Sequence, residues 1–283
     1  MKNALLIGSD EHKELFCRTF VETHERYEPL ELPWPVLDDA ALARLRALPI
    51  WDMALQAETN AGAMVTGFAA TISDPVVRDA VALQGFEEER HGKLIGTLVD
   101  RYGLGATRRP PELEPTQSQF VHFGYRECLD SFFGFGIFRI ARETDFMPDS
   151  LISLFTRVLW EEARHIVFFV NWIAYERVRR GYGNVLMQAI ATALGYVRAL
   201  FDMIVSGKKM AEGAPPSASN GTVLPDLSLT RLLDACLAEN ERLMARFDER
   251  LLRPRVMPLL ARGVVGAMQT GEQLRNVVAP RGV

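Results

Sequence analysis

Apolar residues recur every three or four positions between about residues 40 and 205, and no segment shows the strict alternation of a half-buried strand. This pattern predicts an all-α protein. Segments rich in glycine and proline interrupt it and separate the expected helices. These helices are expected at about 51–72, 75–102, 119–144, 149–180, 184–209, 227–252 and 256–277, with a loop at 213–225.

The link between the second and third predicted helices is unusually long. Residues 103–115 contain two glycines and three prolines, which is typical of a connection rather than a helix. A link of this length spans about 40 Å when extended, so it can return along the whole length of a bundle. We therefore expect an N-terminal extension (1–50), a bundle of two antiparallel helix pairs (51–180) and a C-terminal helical extension (181–283).

One short motif occurs in both the second and the fourth predicted helix. It reads FEEERH at residues 86–91 and WEEARH at residues 160–165. Because three residues make nearly one helical turn, each motif presents a carboxylate and an imidazole on one face. A single Glu-x-x-His is a common accident, but two copies in register inside apolar helices use two of only five histidines. The repeat indicates a metal site built from Glu88, His91, Glu162 and His165.

The first predicted helix offers one further ligand. Glu58 lies 30 positions before Glu88 and is the only acidic residue between Asp52 and Asp74. Its neighbours on the helix face are apolar, and a buried carboxylate there needs a partner that a metal ion would supply. Glu58 is therefore a candidate ligand, with a solvated surface glutamate as the alternative.

The third predicted helix offers two candidates. Glu127 and Asp130 share a face and lie 35 and 32 positions before Glu162, whereas Glu143 is too close to the following break to lie level with it. The spacing of the first pair favours Asp130, and the longer side chain favours Glu127. Both remain candidate ligands.

One Glu, then Glu-x-x-His about 30 residues later, then the same order again, resembles the di-iron carboxylate proteins of the ferritin-like superfamily. These include rubrerythrins, ribonucleotide reductase small subunits, bacterial multicomponent monooxygenases and aldehyde-deformylating oxygenases. The resemblance covers about residues 51–180 and implies a ferritin-like four-helix bundle, here with additional C-terminal helices. It implies one metal on Glu58, Glu88 and His91, the other on Glu127 or Asp130 with Glu162 and His165, and Glu88 and Glu162 as bridges.

Carboxylate and imidazole ligands suit two iron ions, with manganese or a mixed manganese/iron pair as alternatives, and the absence of thiolates argues against a structural zinc. We expect an O2-activating di-iron oxidase or oxygenase that acts on a small, largely apolar substrate and receives electrons from a donor protein. The alternatives are a non-catalytic ferritin-type metal-binding or storage protein and a bundle that binds a partner. The roughly hundred residues after Arg180 and the phenylalanine-rich third helix favour the enzyme.

Two further features of the third helix bear on this expectation. Gly134 and Gly136 each cost about 1 kcal/mol relative to alanine in a helix interior, so the pair provides either close helix packing or room for a substrate, with packing slightly favoured. Tyr125 is expected to be a core tyrosine with a satisfied hydroxyl rather than a redox-active side chain.

Composition and charge indicate the compartment and the kinds of partner. A net charge of -4 without a basic stripe argues against nucleic acid, and three scattered cysteines fit a reducing compartment. The N-terminus lacks the apolar segment of a signal peptide, and the apolar stretch at 185–205 is interrupted by Gln188, Arg198 and Asp202. We therefore expect a cytoplasmic protein without a transmembrane segment. Its fifth and terminal helices are expected to form a homodimer interface, and the alternatives are that they cap the site or touch a membrane surface.

Overall fold

The computed structural model describes residues 5–182, 184–213 and 227–278. Within these ranges the chain forms a helical bundle without strands, so the predicted all-α class is confirmed. Its helices are α1 (Asp10–Glu22), α2 (Asp39–Ala47), α3 (Trp51–Ala69), α4 (Pro75–Tyr102), α5 (Gln117–Glu143), α6 (Asp149–Arg179), α7 (Val185–Gly213), α8 (Leu229–Met244) and α9 (Val256–Val278), with one 3-10 turn at Pro29–Glu31.

Helix α4 has the boundaries that its sequence predicts. Asp74 caps it by accepting from the backbone amides of Val76 and Val77, Pro75 occupies the first position, and Gly103 ends it in the left-handed conformation with φ of 61°. The loop predicted at 213–225 lies, except for Gly213 at the end of α7, outside the described residues.

Helix α8 ends earlier than predicted. The predicted helix 227–252 stops at Met244, because the chain then turns back toward α6. There the buried side chain of Asn171 donates to the carbonyl of Leu252 and accepts from its amide, both at 2.9 Å. A backbone segment held in this way by a distant side chain cannot continue the helix.

Helix α1 belongs to the core, although no helix is predicted before residue 51. Ser9 caps it, and Phe16 and Phe20 are buried in the same hydrophobic cluster as residues of α4, α5 and α6. His12 is also buried, and its Nδ1 accepts from the Gly8 amide while its Nε2 donates to Asn171 at 2.9 Å. This arrangement fixes His12 in the neutral form.

Helices α3 and α4 form an antiparallel pair with two points of backbone contact. A Cβ added to Gly62 would lie 3.0 Å from the backbone nitrogen of Glu89, and one added to Gly85 would lie 2.7 Å from that of Thr66. Larger residues at either glycine would force the two backbones apart. The pair therefore packs as closely as two helices can at these positions.

The long link follows α3, as its predicted length allows. Its residues contact α3 in order: the Thr107 amide donates to Asp52, the Pro110 carbonyl accepts from Gln56, and the Glu112 amide donates to Asn60. The link thus carries the chain from the end of α4 along α3 to the start of α5, so that the pair α5 and α6 lies beside the pair α3 and α4.

Helix α5 is the support for the C-terminal helices, because α7 and α8 both pack against it. A Cβ on Gly136 would lie 2.8 Å from the backbone nitrogen of Cys236 in α8, whereas one on Gly134 would meet nothing within 4 Å. Close packing thus explains Gly136 but not Gly134. Tyr125 is buried and its hydroxyl accepts from Arg177 at 2.6 Å, which confirms the core role expected for it.

Among the described residues, the stretch Val185–Lys208 of α7 is long and apolar enough to cross a membrane by length and composition alone. One such helix is weak evidence for a membrane span, although only 11% of its most apolar window is buried, so α7 is not a core helix. The absence of a transmembrane segment therefore stays a prediction.

Candidate metal centre

The predicted ligands of four helices meet in the bundle core. Two groups of side chains have donor atoms within 4.8 Å of one another. The first group is Glu58, Glu88 and His91, and the second is Glu88, Glu127 and His165. Either group can hold a metal ion, and Glu88 belongs to both.

Glu88 and Glu162 lie between the two histidines. Glu88 places Oε1 2.9 Å from Nδ1 of His165 and Oε2 3.6 Å from Nδ1 of His91. Glu162 does the reverse, with Oε1 3.2 Å from Nδ1 of His91 and Oε2 3.8 Å from Nδ1 of His165. Each carboxylate therefore presents one oxygen to each histidine, which is the arrangement that bridging between two ions requires.

Glu58 and Glu127 occupy the outer ends of the site. Glu58 Oε2 lies 3.8 Å from Nδ1 of His91, and Glu127 Oε2 lies 4.0 Å from Nδ1 of His165. Asp130 lies outside both groups: its carboxylate is 41% exposed and pairs with Nε of Arg126 at 2.5 Å. Of the two candidates on α5, the structure brings Glu127 to the cluster and leaves Asp130 on an ion pair.

The first glutamate of each motif binds the histidine of the other motif. Glu161 of α6 accepts from Nε2 of His91 at 2.8 Å, and Glu87 of α4 accepts from Nε2 of His165 at 2.9 Å. Because Nε2 of each ring donates in these bonds, Nδ1 is the nitrogen that faces the cluster and is available to a metal ion once it has lost its own proton. Carboxylate partners of this kind orient metal-binding histidines and raise their basicity.

The arginine of each motif likewise pairs with the first glutamate of the other motif. Arg90 pairs with Glu161 at 2.5 Å and Arg164 pairs with Glu87 at 2.7 Å, and all four side chains are buried. Each arginine compensates the charge of a carboxylate on the opposite helix. We call these four residues the crossed shell.

The segment between α1 and the 3-10 turn covers the crossed shell from outside. Nδ1 of His24 lies 2.6 Å from Glu87, and the Tyr27 hydroxyl donates to Glu161 at 3.1 Å. Tyr27 also stacks under the Arg90 guanidinium, whose carbon is 4.0 Å from the ring centroid. Residues far before the motifs in sequence thus complete their hydrogen bonds.

The pKa shifts in the cluster are those of a buried group of carboxylates that needs positive charge. Burial raises the pKa of Glu58 and of Glu127 well above the ordinary value, and neighbouring carboxylates add to the shift. Burial alone would lower the pKa of His165, but Glu88 and Glu87 outweigh it and raise that pKa to about 10. With no metal ion among them, these groups therefore balance their charges with protons.

Four buried ligand atoms of the cluster make no hydrogen bond of good geometry: Oε1 of Glu88, Nδ1 of His91, Oε2 of Glu127 and Nδ1 of His165. The nearest approach among them is the 2.9 Å between Nδ1 of His165 and Oε1 of Glu88. Such atoms are rare in folded proteins, because leaving one unpaired costs about 1–3 kcal/mol. All four point into one small volume and are good ligands for iron or manganese. The residues present fit a two-metal centre.

The crossed shell was missed at the sequence level, although its signal was present. The repeated motif contains Glu87, Arg90, Glu161 and Arg164 in register, but only the second glutamate and the histidine of each copy were assigned a role. No comparable signal identifies His24 or Tyr27, because their contacts depend entirely on the tertiary fold.

Comparison with known proteins adds no assignment: no protein-family model, no curated protein and no solved structure matches the chain. The function must therefore be argued from the geometry of the site.

Proposed function

We propose that this protein is a ferritin-like di-iron oxidase or oxygenase that activates O2 to oxidise a small, largely apolar substrate. The observation that carries the proposal is the symmetry of the cluster, in which each histidine has an inward Nδ1, a crossed carboxylate on Nε2 and one oxygen from each of two shared glutamates. The order of the helices and the long link along α3 support the ferritin-like arrangement.

Two ferrous ions, when bound, can together supply electrons to O2. Glu58, Glu88 and His91 would hold one ion, Glu127, Glu162 and His165 the other, and Glu88 and Glu162 would bridge them. The crossed shell would hold Nε2 of each imidazole in a hydrogen bond, so that each ring keeps one orientation and Nδ1 is the nitrogen that faces the ion. Electrons for repeated turnover would come from a donor protein.

Space for a substrate is proposed beside Glu162. The Ser131 hydroxyl donates to Glu162 at 3.3 Å, and Gly134 follows about one turn later on α5 with open space where a side chain would be. An apolar molecule of modest size would use this open space.

The first experiment is iron analysis of the full-length protein after anaerobic loading with ferrous iron. We expect about two irons per chain, with loss of most bound iron in Glu88→Ala and His165→Ala. Glu127→Ala should lose bound iron, whereas the matched Asp130→Ala control should retain it. Folded wild-type protein that binds no iron under these conditions would refute the proposal.

A ferritin-type storage role is the alternative, and stoichiometry separates the two functions. Titration with ferrous iron in air should stop at about two irons per chain for an enzyme. Continued uptake far beyond that ratio would identify a storage protein. Screening small apolar compounds for O2 consumption by the loaded protein then addresses the substrate.

A further inference from the structure

One face of α7 is covered with exposed apolar side chains. Six of them follow one another at alternating spacings of three and four residues: Met187, Ile190, Leu194, Val197, Phe201 and Ile204. We call this row the α7 seam. Leu194, Val197 and Phe201 are 64%, 63% and 65% exposed, so the middle of the seam is no better covered than its ends.

A repeat of alternating three and four has an average period of 3.5, which is the period of a coiled-coil seam rather than that of a free amphipathic helix. In heptad terms every a and d position from 187 to 204 is a large apolar residue. This regularity indicates that a second helix packs along the seam.

The opposite face of α7 is already occupied, which fixes the direction of the seam. Tyr196 and Ala199 are buried, and Asp202 pairs with His122 of α5 at 2.7 Å. Arg177 of α6 donates to Thr192 at 2.7 Å. These contacts hold α7 on the bundle and leave the seam facing outward.

From these observations we infer that the α7 seam is a homodimer interface, in which the seams of two copies pack against each other. With the flanking Leu186 and Leu200, the exposed apolar side chains offer roughly 800 Å² per copy, which matches the area that each partner contributes to a specific interface. Patches on monomers are usually limited to about 300–600 Å². The inference does not depend on the proposed function.

The residues beside the seam favour an antiparallel pair. Just before its centre the seam is flanked by the small Ala191 and Ala193, and just after its centre by the larger Arg198 and Leu200. A two-fold axis between Leu194 and Val197 sets the small flank of one copy against the large flank of the other. It also places Leu194 opposite Val197 of the second copy, as an isologous interface requires.

A membrane surface is the competing partner for an apolar helix. A helix that lies on a membrane surface is typically rich in Lys and Arg beside its apolar face, whereas Arg198 is the only basic residue from Val185 to Gly207. A membrane also imposes no heptad spacing on the residues that enter it. Both features favour a second copy of the chain.

Sedimentation equilibrium of the full-length protein tests the interface. The wild type should sediment at twice the 31.8 kDa of one chain, and Leu194→Glu should raise the dimer dissociation constant about 100-fold or more by burying a charge. Leu259→Glu in α9 is the matched control, because Leu259 is also 64% exposed, and it should stay dimeric. Circular dichroism and iron content should be unchanged in both variants.

A charge-complementation experiment tests the orientation. Leu194→Glu and Val197→Lys should each be monomeric alone, and an equimolar mixture should form a heterodimer because the two changed residues meet only in the antiparallel pair. Failure of the mixture to associate would overturn that orientation. A monomeric wild type would overturn the interface itself, and so would a Leu259→Glu variant that dissociates as much as Leu194→Glu. If a monomeric wild type co-sediments with phospholipid vesicles, the partner of the seam is a membrane instead.

Discussion

Replacement of Glu161 by Gln should destabilise the protein through Arg90, which lies on another helix, and not through Arg164, which is three positions away on the same helix. Glu161 accepts from Arg90 at 2.5 Å and from His91 at 2.8 Å. Arg164 instead pairs with Glu87. The energetic coupling should follow these crossed contacts rather than proximity in sequence.

The expected loss in the free energy of unfolding follows from the burial of Arg90. Arg90 is only 3% exposed, and removing one partner of a buried ion pair costs about 3–5 kcal/mol because it leaves an uncompensated charge. Glutamine keeps the shape and one acceptor, so about 3 kcal/mol is expected for Glu161→Gln. In a double-mutant cycle, Glu161→Gln and Arg90→Met should couple by about 1–3 kcal/mol.

The assay is urea unfolding of the metal-free protein, followed by circular dichroism, for the single variants and both double variants. The matched cycle pairs Glu161→Gln with Arg164→Met, and its coupling should remain near the ~0.2–0.5 kcal/mol of residues three apart on a helix. A coupling with Arg164 equal to or larger than that with Arg90 would show that the crossed shell is wrong.

Three further results are expected from urea unfolding. Gly136→Ala should lower the free energy of unfolding by about 1–3 kcal/mol, because the added methyl group overpacks against Cys236. Gly134→Ala should instead raise the free energy of unfolding by up to about 1 kcal/mol. Equal effects of the two substitutions would contradict the packing described for α5 and α8. Asp74→Ala should lower it by about 1 kcal/mol through loss of the α4 cap, and an unchanged value would mean that the cap is dispensable. Burial lowers the pKa of His12 below its ordinary 6.5, so its contribution is complete above pH 6.5 and is lost as the pH falls toward the folded-state pKa. His12→Gln should reduce that pH dependence, and an identical slope in wild type and variant would argue against a neutral His12.

The sequence predicted the helical class, the boundaries of α4 and the spacing of the Glu-x-x-His motifs, because each depends on local periodicity and capping. It did not separate Glu127 from Asp130. Both lie on one face of α5, and a difference of one helical turn is decided by the packing of that helix against its neighbours. One local signal pointed the right way, since Arg126 lies four positions before Asp130 and can pair with it.

The contribution of the first 50 residues could not be predicted in the same way. Phe20 packs under Arg164, with the guanidinium carbon 4.4 Å from the ring centroid, and His24 and Tyr27 bind Glu87 and Glu161. These contacts join residues more than 60 positions apart, so no periodicity within either segment reveals them. Hydrophobic patterning indicates that a segment is buried, but it does not identify the polar groups that it will meet.

The contacts of Gly62 and Gly85 have a consequence for ion size. Gly62 lies one turn after Glu58 on α3, and Gly85 lies one turn before Glu88 on α4, so both contacts flank the ligands that these helices contribute. Metal–ligand distances are tolerated within about 0.2 Å, and a methyl group at either glycine would widen the gap between the helices by more than that. In the proposed two-metal centre, the spacing of this helix pair would set the distance from Glu58 to the ligands of α4, and alanine at Gly62 or Gly85 would shift the metal preference toward larger ions without altering any ligand.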